Sequence, residues 1–204
     1  MAISGSARKG SNTTQILDIV CQELEAEGIT TEFYELASSP IVSCIACYKR
    51  FKNKDQRCTV NTDYVNKYIE RILAADGILL GSPAYFADVS ASMKALIERA
   101  GIVDKANEDM FKRKLGAGIV AMRRGGGYHV FSSFGTFFLI CQMIVVGSSY
   151  WNLGRGYEPG EVQKDTEGID NMKNLGAIWP GSSKKTSICT QSEIKVGYST
   201  SSQN

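Results

Sequence analysis

Between Ile3 and Ile16 the chain runs Ser4-Gly5-Ser6-Ala7-Arg8-Lys9-Gly10-Ser11-Asn12-Thr13-Thr14, and this polar turn constrains the fold more than any other stretch. Its glycines let the backbone turn without a Cβ clash, so several N–H groups can point into one concavity, with hydroxyls and an Asn amide around it. A helix beginning near Ser11 aims its positive end at the same spot, and Arg8 and Lys9 add full charges. A phosphate monoester suits such a cradle. The spacing is neither Gly-x-Gly-x-x-Gly nor Gly-x-x-x-x-Gly-Lys-Ser/Thr, which argues against a dinucleotide fingerprint and a nucleotide-triphosphate loop. An ordinary polar strand-to-helix turn is the plain alternative.

Downstream, short apolar runs alternate with helical patterns. Ile16, Ile19, Val20 and Leu24 recur at helical spacing from Asn12 to Glu27, and Gly28 stands where a left-handed cap would end that helix. Ile29 to Leu36 reads as a second strand. Asp63 can cap a helix through Ala75 that buries Tyr64, Tyr68, Ile69 and Ile72. Gly77 to Gly81 reads as a strand covered on both faces, followed by a loop over 82–89 and a helix from Ser90 to Ala100. Leu115 to Met122 is the next strand, Arg123 to Gly127 a basic loop, then a helix to about Cys141 and a strand over Met143 to Val146. This alternation predicts an α/β fold, a doubly wound five-stranded parallel sheet with helices on both faces. Such sheets bind ligands beyond the carboxyl ends of their strands, where the loops 4–13, 82–89 and 123–129 lie.

The 204 residues, 43% hydrophobic, suffice for one core. A net charge of +2, with 23 basic and 21 acidic residues well mixed, offers no face for nucleic acid. Met1 leads straight into the polar turn, so no signal peptide is visible, and six cysteines in a chain this long make no disulfide scaffold; a reducing cytoplasm is expected. The first strand is short, as if the sequence began partway through it. The longest apolar stretch, Phe134 to Val146, falls short of the ~20 residues that span a bilayer and is expected to be buried core. Glu161 to Leu175 reads as one more helix. The division expected is a domain over 1–176 and a polar extension over 177–204, with 182–204 as an arm.

Three motifs together resemble the NADPH-dependent FMN reductase family of flavodoxin-like proteins, and within it the iron–sulfur flavoprotein branch: Gly5 to Thr13, Ala75 to Phe86, and Gly125-Gly126-Gly127. The resemblance covers about residues 1–176. It implies sheet order 2-1-3-4-5, bound FMN, NAD(P)H as electron donor, and a homodimer or homotetramer. By position, Ser4, Ser6, Arg8, Ser11, Asn12 and Thr13 would hold the FMN phosphate. Pro83, Ala84, Tyr85, Phe86 and Ala87 would line the flavin ring, with Arg123, Arg124, Gly125, Gly126 and Gly127 on its other side. Apolar walls with a few backbone donors suit a flat aromatic ring, and no protein acid, base or nucleophile is required beside it. Tyr85 and Phe86 could equally be core aromatics, and Arg123 and Arg124 solvated charges.

The iron–sulfur branch carries Cys-x-x-Cys-x-x-Cys and a fourth Cys a few residues later. In the loop over 38–62, Cys44, Cys47 and Cys58 match the first, second and fourth places, but Arg50 stands in the third. A four-iron cluster normally takes four thiolates, so a cluster is not favoured, nor is zinc with three local ligands. Inherited thiols and a redox dithiol of Cys44 and Cys47 both remain open. His129 could face the ligand or pack at a helix start, and Trp151, Asn152 and Tyr157 could cover a neighbouring subunit's flavin or form a surface loop. The leading functional expectation is an FMN-dependent NAD(P)H oxidoreductase passing electrons to a small acceptor: quinone, nitro compound, metal ion or flavin. An electron-transfer protein served by a ferredoxin-like partner and a non-enzymatic flavin binder are the alternatives.

Overall fold

The computed structural model describes residues 1–191, with side chains through residue 179. Strands β1 (Ala2–Ser4), β2 (Phe33–Glu35), β3 (Gly77–Pro83), β4 (Leu115–Met122) and β5 (Ile144–Val145) form a parallel sheet in the order β2-β1-β3-β4-β5. A sixth strand, β6 (Leu153–Arg155), is an addition to the expected five. It pairs with the carboxyl half of β4 while β5 pairs with the amino half. The fifth position in the sheet is thus filled by two short pieces, with residues 146–152 leaving and re-entering between them.

Every residue of β3 and β4 is buried, as a run apolar on both faces requires. Alternate residues serve opposite layers. Ile3, Ile78, Leu80 and Val120 pack with helices α3 (Val65–Ala74), α4 (Ala91–Ala106) and α5 (Gly127–Ile140). Ala2, Leu79, Ala117 and Ile119 pack with α1 (Asn12–Ala26) and α6 (Thr166–Gln191). A short helix, α2 (Arg50–Asn53), lies in the cysteine-containing loop. Helix α1 can lie close to the sheet because Gly81 has no side chain. A Cβ there would stand 2.5 Å from Leu17 Cδ1. Helix α1 ends as its sequence predicts, with Gly28 at φ +80° and its amide donating to the Glu25 carbonyl.

Several boundaries differ from expectation. Only Phe33–Glu35 of the second run pairs, because β2 is an edge strand with Phe33 exposed. Tyr64, expected in the core, is 52% exposed because it precedes the first turn of α3 rather than lying on its buried face. Helix α4 continues past Ala100 to Ala106, burying Val103. The stretch 134–146 is only partly core. Leu139, Ile140, Ile144 and Val145 are exposed where α5 ends and β5 forms the sheet edge. Residues 161–164 form a 3-10 turn before α6 begins. The boundary expected at residue 176 falls inside α6, whose Trp179 is buried against Gly77. Residues 192–204 of the expected arm lie outside the described residues. Among the described residues no helix is long and apolar enough to cross a membrane.

Trp179 therefore belongs to the core although it lies beyond the expected boundary. Trp179→Ala should lower unfolding free energy by about 3–5 kcal/mol, read as a shift in the urea midpoint at unchanged slope. A loss below about 1 kcal/mol would show that α6 past residue 176 is not part of the cooperative fold.

Candidate functional site

The turn between β1 and α1 is held by its own hydroxyls. Ser4, fully buried, accepts from the Ser6 amide at 3.4 Å and lies 3.3 Å from Thr14 Oγ1. Ser6 Oγ accepts from the Arg8 amide at 3.2 Å. Ser11 caps α1, its Oγ accepting from the Thr14 amide at 3.1 Å. The amides of Asn12 and Thr13 head the helix, where no preceding turn can accept from them, and the helix places partial positive charge there. Thr13 Oγ1 is buried beside them and has no hydrogen-bond partner. A buried hydroxyl without a partner is costly, and here it leaves one donor free at the head of the helix.

Asn12 closes the site from the far end of the chain. Its Nδ2 donates to the Glu158 carbonyl at 3.0 Å, and its Oδ1 accepts from the amides of Gly160 at 2.9 Å and Val162 at 3.3 Å. This draws the segment after β6 across the start of α1. Arg8 Nη1 donates to the Tyr157 carbonyl at 3.2 Å. The amides of Tyr157 and Glu158 donate to the Glu161 carboxylate at 2.9 and 3.1 Å and hold it below the usual carboxylate range. Arg123 lies over the Tyr157 ring, 4.3 Å from its centroid. Gly156 is needed for this closure, since a Cβ there would stand 2.6 Å from the Val162 nitrogen.

The result is a cleft of about 190 Å³ at the carboxyl ends of β3 and β4. Of the residues expected there, Ser6, Arg8, Ser11, Asn12 and Thr13 line one end, with Pro83, Ala84, Tyr85 and Arg123 along the walls. Ala121, Met122, Gly156, Tyr157 and Pro159 complete it; of these the sequence points only to Tyr157, as a cover for a neighbouring subunit's flavin or part of a surface loop. The first two could have been found from their place at the carboxyl end of a strand; the others depend on β6, which left no periodic signal.

Seven expected residues do not line this cleft. Ser4 is consumed inside the turn. Phe86 and Ala87 occupy the tip of a tight hairpin in which Tyr85 and Asp88 exchange backbone hydrogen bonds at 3.0 and 3.2 Å. Both tip residues have positive φ, and Phe86 stands fully exposed. Gly126 packs on that hairpin, where a Cβ would come within 2.9 Å of Ala87 Cα, and Gly127 packs on Met122. Gly125 and Arg124 are exposed between them. Two of the three glycines are thus required by close packing, Gly126 against the hairpin and Gly127 against the end of β4. His129 faces the hairpin too, with Nε2 3.7 Å from Asp88 Oδ2. Asn152 is buried and donates to the Gly118 carbonyl at 3.0 Å, a structural role.

Cys44, Cys47 and Cys58 lie apart from the cleft lining. Among the described residues no group of three or more His, Cys, Asp or Glu could hold a metal ion. A larger cavity, about 440 Å³, opens at the amino ends of β1, β3 and β4, beside Met1, Cys21 and Trp179. That is the sheet edge away from the loops on which parallel α/β sheets bind ligands.

The sequence pattern described as NADPH-dependent FMN reductase matches residues 1–158. An iron-sulfur flavoprotein of Methanocaldococcus jannaschii is 34% identical over 183 residues, covering 86% of this chain and 92% of the relative. One from Methanosarcina thermophila is 30% identical over 172 residues, covering 83% and 87%. Among solved structures, the Trp repressor binding protein from Bacillus subtilis superposes with a TM-score of 0.60 at 20% identity, covering 85% of this chain and 95% of that one. This last likeness is one of fold.

Asn12 positions the 156–162 segment. Asn12→Ala should speed hydrogen exchange at Gly160 and Val162 about ten-fold relative to the core strands, as expected for loss of one or two buried hydrogen bonds. Unchanged protection at both amides would contradict that role.

Proposed function

Because the chain belongs to the NADPH-dependent FMN reductase family, we propose that its cleft holds FMN and that the protein is an NAD(P)H-dependent oxidoreductase serving a small acceptor such as a quinone, nitro compound, metal ion or flavin. The observation that carries this reading is the unpartnered, buried hydroxyl of Thr13 at the head of α1. Together with Ser6, Ser11 and the helix-start amides, it presents donors to a phosphate monoester, and Arg8 adds a cation at the rim. The donor set fits the phosphate of FMN. Pro83, Ala84, Ala121 and Met122 give the cleft apolar walls at the strand ends, and Tyr85 adds an aromatic edge.

Bound FMN would supply hydride and electron-transfer chemistry of its own. The chain's task is then binding and orientation. Asn12 keeps the 156–162 segment across the helix start, and Tyr157, braced by Arg8 and Arg123, walls the cleft beside the phosphate cradle. Hydrogen bonds already made inside the turn leave these groups fixed before any ligand arrives, which lowers the ordering cost of binding. Free thiols at Cys21, Cys44, Cys47, Cys58 and Cys141 support a reducing, cytoplasmic setting. The exposed apolar edge formed by Leu139, Ile140, Ile144 and Val145 supports assembly as a homodimer or homotetramer.

Thr13→Val keeps the side-chain shape and removes the hydroxyl. FMN affinity should fall about ten-fold or more, the effect of one hydrogen bond to a charged group, while the urea midpoint of the ligand-free protein should not fall, since the hydroxyl removed has no partner there. Unchanged affinity would remove Thr13 from the phosphate site. Turnover tests the activity itself: FMN-loaded protein should oxidise NADH or NADPH with a quinone acceptor, giving parallel double-reciprocal lines as donor and acceptor take turns at one site. Intersecting lines, or a rate no greater than that of free FMN, would contradict the proposed reaction.

A further inference from the structure

The cysteine loop departs from a cluster site in one residue, and the geometry around that residue is informative. Arg50 stands in the third of the four thiol positions of the resembling motif, and it is not turned out to solvent. Its side chain is buried, with Nη2 3.8 Å from Cys44 Sγ and 3.6 Å from Cys47 Sγ. One guanidinium nitrogen is thus in contact with both sulfurs, and the side chain fills the place where the motif has its third thiol. Cys58 is engaged elsewhere. Its sulfur is buried and accepts from Arg99 Nε at 3.4 Å. Arg99 is itself fixed by Asp63 and by the carbonyls of Val42 at 3.0 Å and Val60 at 2.6 Å. These thiols do not fit a cluster: a cationic side chain fills the third place, and the fourth belongs to a separate ion-pair network.

Two nitrogens of Arg50, Nε and Nη1, are buried with no hydrogen-bond partner. A buried guanidinium keeps its charge and needs a negative companion. No carboxylate pairs with it among the described residues; the groups in reach are the two sulfurs. Both are half-buried, so one side of each remains open to small reagents. The backbone around them is arranged for the same purpose. Ala46 and Tyr48 have positive φ, and the Ala46 amide turns inward to Cys44 Sγ at 3.4 Å.

We propose that this chain binds no iron–sulfur cluster and that Cys44 and Cys47, held by Arg50, form a thiol redox site in its place, with hydrogen peroxide as the oxidant. The Cys47 thiolate attacks one peroxide oxygen, the O–O bond breaks, and hydroxide leaves, giving a sulfenic acid. The Cys44 thiolate then attacks the Cys47 sulfur and expels a second hydroxide as the disulfide forms. The two sulfurs give up two electrons in all, the peroxide is reduced to water, and the two thiol protons neutralise the hydroxides. Cys47 is suited to the first step because the Lys49 amide and the Arg50 guanidinium hold its thiol below the usual range. The shared contact on Arg50 Nη2 keeps Cys44 in the same loop as Cys47 for the second step, in which the guanidinium moves aside as the sulfurs join. This inference is independent of what the cleft binds.

The test uses the full-length protein purified without oxygen from cells supplied with iron. Iron and acid-labile sulfide should be absent. One equivalent of hydrogen peroxide should lower the intact mass by two hydrogen atoms and join the peptides of Cys44 and Cys47. Cys44→Ser should stop at a sulfenic acid on Cys47 that dimedone traps. Arg50→Gln should slow alkylation of Cys47 at neutral pH about ten-fold, the effect of raising a thiol pKa by one unit, and Arg50→Lys should restore part of it. Stoichiometric iron and sulfide would overturn the proposal. So would a peroxide-treated wild-type protein with both thiols intact, a result that needs no variant to fold.

Discussion

The close approach of helix α1 to strand β3 governs the molecule. It is possible because Gly81 leaves room for Leu17, and it sets the capped start of α1 beside the carboxyl ends of β1 and β3. A side chain at position 81 would lift the helix and carry Ser11, Asn12 and Thr13 away from the walls supplied by Pro83 and Ala84. The packing of one face of the sheet and the construction of the cleft are thus one event. The hydrophobic layer beneath α1, with Ile16, Leu17, Val20 and Leu24 against Leu79 and Ile119, stabilises the placement of a polar site that could not position itself.

The same economy appears in how the distant parts of the chain meet. Residues 156–162 reach the cleft because β6 pairs with β4 and because Asn12 accepts two of their amides and donates to one carbonyl. One side chain thus supplies three long-range hydrogen bonds, while the hydroxyl next to it is left with none. That contrast separates a group taken up inside the fold from one with a free donor: Asn12 fixes the frame, and the Thr13 hydroxyl stays unpartnered.

The sheet order, the layers and the location of the cleft were legible from alternating apolar runs and from one polar turn. Nine of the expected site residues meet in the cleft because the turn and the strand ends carry local signals: small polar residues before a helix, and Pro-Ala-Tyr after a buried run. What could not be read depends on tertiary partners. Nothing local distinguishes Ser4 and Asn12, taken up in internal hydrogen bonds, from Thr13, whose hydroxyl has no partner. The glycines 125–127 suggest a ligand loop, yet two of them are required by contact with Ala87 and Met122. Strand β6 is three residues long and has no periodicity to detect, so Gly156 and Pro159 were out of reach, and Tyr157 could be considered but not placed. Arg50 was visible as a departure from a motif, but its burial in contact with two of the motif's sulfurs was not.

Whether the head of α1 is a phosphate site is answered most directly by a crystal structure of the protein with FMN. The phosphate should lie within hydrogen-bond distance of Thr13 Oγ1 and the amides of residues 12 and 13, with the ring along the wall formed by Pro83, Ala84 and Met122. A phosphate bound elsewhere, or an ordered complex in which Thr13 Oγ1 still has no partner, would contradict it.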